Sequence, residues 1–423
     1  RQKKIMDKLI IRGNADLRGE ISVKGSKNSA LPIMVSSLLS KDSLKLKNIP
    51  KLVDIENMSK LLRNYGATIK SYRDNIEINC KQIINRDADY DIVRKMRASI
   101  LILGPLLSRF GNAKISLPGG CAIGTRPIDI HLDGLKKLGA NFKVENGYVV
   151  GRVNNQLIGS HIKLSFPSVG ATENIMMAAV KAKGKTIIEN AAKEPEIIDL
   201  ANSLNKMGAN VKITNKGIIN ITGVKKLNKA NHKIMSDRIV AGTFIIAAVM
   251  LNKNFEVKDV DTTHMKALIS ALKDMGANIK LKVNSIKIMP TNELHGIKIQ
   301  TSPHPGFPTD LQAQMMALMS LVNGNSQIKE NIFENRFMHV PELNRLGAKI
   351  RVKKDVAFIS GSRNFKGAQV MASDLRASVS LVLAALCAEG ESEINRVYHL
   401  DRGYEKIENT LGKLGPSIKR EKY

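Results

Sequence analysis

The sequence predicts an α/β protein of two domains, each made of three pseudo-symmetric repeats of about seventy residues. Three observations predict it. A ten-residue signature recurs six times. A second set of six stretches, each a polar start running into an almost wholly apolar helix, alternates with it. The spacing of the signature is nearly constant along the whole chain.

Taken in chain order, the signature reads "LLRNYGATIK", "GLKKLGANFK", "SLNKMGANVK", "ALKDMGANIK", "ELNRLGAKIR" and "TLGKLGPSIK". Its glycines are Gly66, Gly139, Gly208, Gly276, Gly347 and Gly415, separated by 73, 69, 68, 71 and 68 residues. Each copy has the apolar spacing of an amphipathic helix, then a glycine cap, then the alternation of a strand. One or two copies would be a common helix-to-strand turn; six at even spacing are a repeat. The alternating set is "SKNSALPIMVSSLL", "RKMRASILILGPLL", "PSVGATENIMMAAV", "SDRIVAGTFIIAAVM", "TDLQAQMMALMSLV" and "SDLRASVSLVLAAL". A helix apolar on every side is a buried helix. Each unit therefore holds one buried helix, one amphipathic helix and several strands. Units of this length suit neither a solenoid nor a propeller, and two domains of three units follow.

Composition excludes several classes. The 423 residues are 43% hydrophobic and 25% charged, as in ordinary globular proteins. There is no run of ~18 apolar residues, so no membrane span is expected. The N-terminus "RQKKIMDKLI" lacks an apolar signal core, and residues 1–5 read as an extension before Met6. Cys80, Cys121 and Cys387 form no CxxC pair, so neither disulfides nor a zinc site is expected, and a reducing cytoplasm is the expected compartment. The net charge is +28, from 66 Lys+Arg against 38 Asp+Glu. The lysines are scattered rather than clustered, so drift toward AT-rich codons is favoured over a nucleic-acid surface.

Chemistry concentrates at the starts of the buried helices, which carry Lys27, Asn28, Arg97, Ser168, Arg238, Asp310 and Arg376. Helix N-termini attract anions through free N–H groups and the helix dipole. Cations placed there suit a substrate with several negative charges. A second stretch, "SLPGGCAIGTRPID", sets the Cys121 thiol in a glycine-rich loop near Arg126. On the residues alone it fits a strand-to-strand turn as well as a ligand loop.

The motifs "GSKNSALP", "MRASI", "LPGGCAIGTRPIDIH", "SVGATENI", "NAAKEPEI", "FPTDLQAQ", "FENRFMHVPEL", "ASDLRAS" and "YHLDRGYE" resemble those of the enolpyruvyl transferases across essentially the whole chain from Met6. The resemblance is to the branch acting on a nucleotide sugar. It implies two inside-out α/β domains: residues 1–26 with 236–423, carrying Asp310, Arg336, Arg376 and Arg402, and residues 27–235, carrying the Cys121 loop. It implies UDP-N-acetylglucosamine and phosphoenolpyruvate as substrates, an addition–elimination route in cell-wall synthesis, and no cofactor or metal. Neither nucleic acid nor membrane is an expected partner, and oligomeric state stays open.

The resemblance also implies roles. Cys121 acts on the phosphoenolpyruvate side, as proton donor or adduct former. Lys27, Arg126 and Arg402 hold phosphate, with Arg97, Arg336 and Arg376 completing a cationic lining. Asp310 accepts the sugar hydroxyl proton, although "TD" before a helix also fits an N-cap. Asn28, Arg97, the run Arg126, Pro127, Ile128, Asp129 and Ile130, then Ser168, Val169, Asp310 and Ile332, bind the nucleotide sugar. Close relatives can carry lysine where this chain has Phe166, so one cation that would face the diphosphate is missing. His131 and His399 adjoin strong motifs, but a lone histidine is more often structural than catalytic, and both stay outside the expected site. Two rival readings fit less well. The sister transferases acting on shikimate phosphate lack the cysteine loop, and a nucleic-acid-binding protein would need its cations along an extended face.

Overall fold

A computed structural model describes residues 7–84, 96–116, 128–362 and 364–422. The amphipathic helices are α2 (Val53–Asn64), α4 (Asp129–Lys137), α6 (Pro195–Lys206), α8 (Lys266–Asp274), α10 (Val340–Arg345) and α12 (Ile407–Lys413). Each ends at the expected glycine, and all six glycines are left-handed, with φ between 97° and 115°. That backbone conformation closes a helix without a Cβ clash. A strand starts two or three residues later in each of the six copies except after Gly139, where it starts at once.

The buried helices are α1 (Lys27–Ser36), α3 (Leu103–Phe110), α5 (Val169–Ala179), α7 (Arg238–Met250), α9 (Gln312–Met319) and α11 (Leu375–Cys387). Four begin directly as α-helix, and each has a side-chain cap: Ser26, Ser168, Asp237 and Asp374 accept from N–H groups of the first turn. The other two differ from the expected plain helix start. Arg97–Ile102 and Thr309–Leu311 are 3-10 turns leading into α3 and α9. Met96 and Pro308 precede them and offer no capping oxygen. Without a cap the first N–H groups are tightened into 3-10 pairing instead.

The strands form six small sheets, five of four strands and one of three among the described residues. The four-stranded sheets share one pattern: a parallel pair at one edge, then two antiparallel pairings. In one, Lys298–Gln300 pairs in parallel with Asn325–Lys329, which pairs antiparallel with Val356–Ser360, and that with Lys349–Lys353. The strand Asp7–Arg12 lies between Glu391–Asn395 and Ile418–Lys422, so the first strand joins the last ones.

Two compact units result. One comprises 7–24 with 236–422, and the other the described residues of 25–235. Each has its own core of buried helices with the apolar faces of three sheets around them. Helix interiors such as Met315–Met319 and Ile245–Ala248 are almost inaccessible.

Candidate active site

In the unit containing α7 to α12, three of the expected residues meet. Arg336 Nη2 donates to Asp310 Oδ1 at 2.8 Å, and Arg376 Nη2 donates to Asp310 Oδ2 at 2.9 Å. Both guanidinium side chains are buried, at 5% and 7% exposure, while the Asp310 side chain keeps 28%. The carboxylate is therefore held by two buried guanidinium groups while staying partly exposed itself. A carboxylate oxygen has more than one lone pair, so an arginine contact on each oxygen does not exhaust its capacity to accept.

Asp310 is not an N-cap, contrary to the alternative reading of "TD". It is the middle residue of the Thr309–Leu311 turn, and the two arginines rather than capping geometry fix its orientation. Burial disfavours the Arg376 charge, but Asp310, Tyr404 and Asp237 outweigh it and hold the guanidinium firmly charged. Tyr404 Oη lies 2.8 Å from Thr243 Oγ1. Gln314 Nε2 donates both to Thr243 Oγ1 and to the Asp310 carbonyl, at 3.2 and 3.0 Å.

Glu330 ties the Ile332 segment to the same turn. Its carboxylate accepts from Thr301 and Thr309 hydroxyls and from the Ile332 and Phe333 N–H groups, at 2.9, 3.0, 2.9 and 3.2 Å. Ile332 is thereby fixed near Asp310 through its backbone. A small cleft lies beside the turn, lined by Arg238, His264, His304, Pro308 and Leu311. Arg402 closes the 3-10 turn Val397–Arg402 two residues before Tyr404.

In the other unit, Lys27 is the first residue of α1 and Asn28 the second. Lys27 Nζ donates to Asp54 Oδ2 at 3.2 Å, both groups being buried. The α1 start is anchored by Asp199, which accepts from Ser29 Oγ at 2.5 Å, from the Met235 N–H at 3.1 Å, and pairs with His232 Nε2 at 2.8 Å.

Arg97, Asp129 with Ile130, and Ser168 with Val169 gather around a hub that the sequence did not reveal. Asn174 on α5 donates to the Ile100 carbonyl at 3.0 Å and accepts from the Gly104 N–H at 2.7 Å. Its Nδ2 also lies 3.2 Å from His131 Nδ1. An amide nitrogen can only donate, so Nδ1 accepts and the ring proton sits on Nε2. His131 on α4 lies against Gly170, where a Cβ would stand 3.1 Å from the ring. One buried imidazole thus locks the α4 start to the α5 start and to the Arg97 turn. Phe166, the position without the expected cation, is 41% exposed, and its carbonyl accepts from the Ser168 N–H.

A common electrostatic signature marks both units. His131, His304 and His339 are each lowered to about 4, and His399 is lowered as well. Burial is the main cause, with Arg97, Arg238, Arg336 and Arg402 respectively opposing a further positive charge. Fixed cations beside neutral imidazoles suit anionic ligands. Among the described residues no group of His, Cys, Asp and Glu has the arrangement of a metal site. The Cys121 loop, with Arg126 and Pro127, lies outside the described residues. The other thiols are inert by position. Burial raises Cys80, which faces Ser37 Oγ, and pushes Cys387 at the end of α11 up to about 12.

The sequence pattern of EPSP synthase (3-phosphoshikimate 1-carboxyvinyltransferase) matches residues 11–411. The chain belongs to this family of enolpyruvyl transferases. Within the family it is 51% identical to the UDP-N-acetylglucosamine 1-carboxyvinyltransferase of Pelagibacter ubique, over 98% of this chain and 100% of that one. The enzyme of the same name from Geotalea uraniireducens is 49% identical over 98% and 99%. Among solved structures, the enolpyruvyl transferase NikO from Streptomyces tendae superposes with a TM-score of 0.91 at 22% identity, covering 99% of this chain and 100% of that one. EPSP synthase from Acinetobacter baumannii gives 0.77 at 18% identity, covering 98% and 100%. These two share the enolpyruvyl transferase fold.

Proposed function

We propose that this enzyme transfers the enolpyruvyl group of phosphoenolpyruvate to the 3-hydroxyl of UDP-N-acetylglucosamine, releasing phosphate, as the first committed step of peptidoglycan synthesis in the cytoplasm. The supporting observation is identity of about half over essentially the full length to enzymes bearing that activity in their name. The shikimate-type reaction is the alternative, because the matched family is described by it. It is disfavoured by the cysteine-containing "LPGGCAIGTRPIDIH" motif and by only 18% identity to a solved EPSP synthase.

The chemistry assigned to the residues is addition followed by elimination. The sugar oxygen forms a bond to carbon two of phosphoenolpyruvate while carbon three takes a proton, giving a tetrahedral ketal. Asp310 receives the hydroxyl proton, since it is the partly exposed carboxylate that Arg336 and Arg376 hold in a fixed orientation. Loss of a proton from carbon three then expels phosphate and regenerates the double bond. Lys27, Arg126 and Arg402 hold the phosphate, and Arg97, Arg336 and Arg376 supply further fixed charge. Cys121 serves the phosphoenolpyruvate side. Asn28, the run Arg126 to Ile130, Ser168, Val169 and Ile332 hold the nucleotide sugar, Ser168 and Val169 through the start of α5. The test is phosphate release from phosphoenolpyruvate with each acceptor alone. Release with UDP-N-acetylglucosamine and none with shikimate 3-phosphate is expected; the reverse would overturn the reading.

A further inference from the structure

Lysines that are scattered along the sequence come together on one sheet. The strands Lys298–Gln300, Asn325–Lys329, Val356–Ser360 and Lys349–Lys353 lie side by side in that order. Lys298 faces Gln327, Gln327 faces Phe358, and Phe358 faces Arg351. The next row on the same face aligns Gln300, Lys329, Val356 and Lys353, and a third aligns Asn325, Ser360 and Lys349. The alternate residues, among them Ile328, Ile350, Ala357 and Ile359, are buried in the core, as a period of two requires.

The outer face thus carries five exposed cations, Lys298, Lys329, Lys349, Arg351 and Lys353, around a Phe358 that is 47% exposed. Lys329 lies 3.8 Å from Asp355 in the adjoining turn. The other four have no carboxylate partner among the described residues.

The five other sheets are built differently. Their strands contain Glu20 and Glu256, Glu77, Glu145, Glu189, or Glu391, Glu393 and Glu421. There some of the cations are paired with strand carboxylates: Lys282 pairs with Glu256, Lys258 with Glu20, and Lys8 with Glu393. Among the described strands, the sheet around Phe358 is the one with neither Asp nor Glu. A general excess of lysine does not by itself leave one sheet without any acid.

We infer that this face docks on an anionic lipid surface. Phe358 enters the headgroup region, and the surrounding cations lie over acidic headgroups. An aromatic ringed by Lys and Arg on a flat surface is the arrangement that combines interfacial burial with headgroup attraction. Single-stranded nucleic acid fits less well, because sheets that bind it stack successive bases on two or three aromatics. Here Phe358 is the lone aromatic of the four strands.

The experiment is co-sedimentation of the full chain with vesicles of phosphatidylglycerol and phosphatidylcholine in equal parts, against phosphatidylcholine alone. Binding to the mixed vesicles only, lost in high salt, is expected. Each cation contributes roughly a fivefold gain in partitioning. The variant Lys349→Glu/Arg351→Glu/Lys353→Glu should therefore lose about a hundredfold or more, and the milder triple change to Gln should follow the same direction. Phe358→Ser should weaken binding severalfold. The variant Lys280→Glu/Lys282→Glu/Lys287→Glu, on another sheet of the same unit, changes net charge equally and should have little effect. Thermal unfolding confirms that each variant is folded. Equal binding to neutral vesicles, equal loss in the Lys280/Lys282/Lys287 variant, or displacement from vesicles by oligouridylate would each overturn the inference.

Discussion

Arg376 and Asp310 are 66 residues apart in sequence, yet their side chains meet at 2.9 Å at the starts of two packed buried helices. Arg376 lies in the first turn of α11, and Asp310 in the turn leading into α9. Repetition explains the encounter. Equivalent helix starts of successive repeats lie near one another within a unit, so residues two positions apart in the repeat, Asp310 and Arg376, become neighbours.

Asp310→Asn keeps the shape of the side chain but not its capacity to take a proton. Turnover should fall on the order of a hundredfold or more, with the far-ultraviolet dichroism unchanged. Arg402→Ala should lose turnover similarly, by removing a fixed charge from the phosphate. Near-normal rates in Asp310→Asn, measured with saturating substrates, would remove Asp310 from the proton-transfer role.

Much of this architecture was legible because its causes are local. A left-handed residue after a helix demands glycine, so six glycines at even spacing exposed the repeat. Unbroken apolar runs exposed the buried helices. The 3-10 starts at Arg97 and Thr309 are hard to read from sequence, because the missing caps at Met96 and Pro308 are a subtler signal. The hub at His131 and Asn174 was illegible, since it joins residues 43 apart whose types have many structural uses. The acid-free sheet is illegible for the same reason: its cations come from three strands separated in sequence.

Removing the Asp199 carboxylate should destabilise the protein without touching any group assigned to substrate. Ser29 Oγ, His232 Nε2 and the Met235 N–H all converge on it. Asp199→Ala leaves these donors buried without their acceptor, at about 1–3 kcal/mol for each such group. Urea unfolding should show a loss of several kcal/mol on this basis, and a smaller loss in Asp199→Asn. An unchanged midpoint in Asp199→Ala would show that the network contributes nothing to stability.

Acid should unfold the protein partly through buried histidines. His131 and His339 are lowered to about 4, chiefly by burial. In the unfolded chain each binds a proton near pH 6.5. The unfolded state therefore holds more protons between these values. The stability present above pH 6.5 is lost as pH falls toward 4. The maximal contribution of His131 is on the order of 3 kcal/mol. Urea midpoints for His131→Gln should fall less between pH 7 and pH 4.5 than those of the unaltered protein. Parallel pH curves would refute this assignment.

Fosfomycin, an epoxide phosphonate, should alkylate Cys121 and neither other thiol. A thiol pushed up to about 12, as Cys387 is, has only about one thiolate in ten thousand at pH 8. Cys80 is fully buried and also raised. Cys121 adjoins Arg126 in sequence, and cations near a thiol lower its pKa and raise its thiolate fraction. Lys27 and Arg126, as assigned, also hold the phosphonate. UDP-N-acetylglucosamine should accelerate the labelling. Cys121→Asp should remain active and become resistant, because a carboxyl group supplies a proton but opens the epoxide poorly. Intact mass with peptide mapping decides the matter. Adducts on Cys80 or Cys387, or inactivation of Cys121→Asp by the epoxide, would mean that the reactive thiol of this enzyme is not the one in the glycine-rich loop.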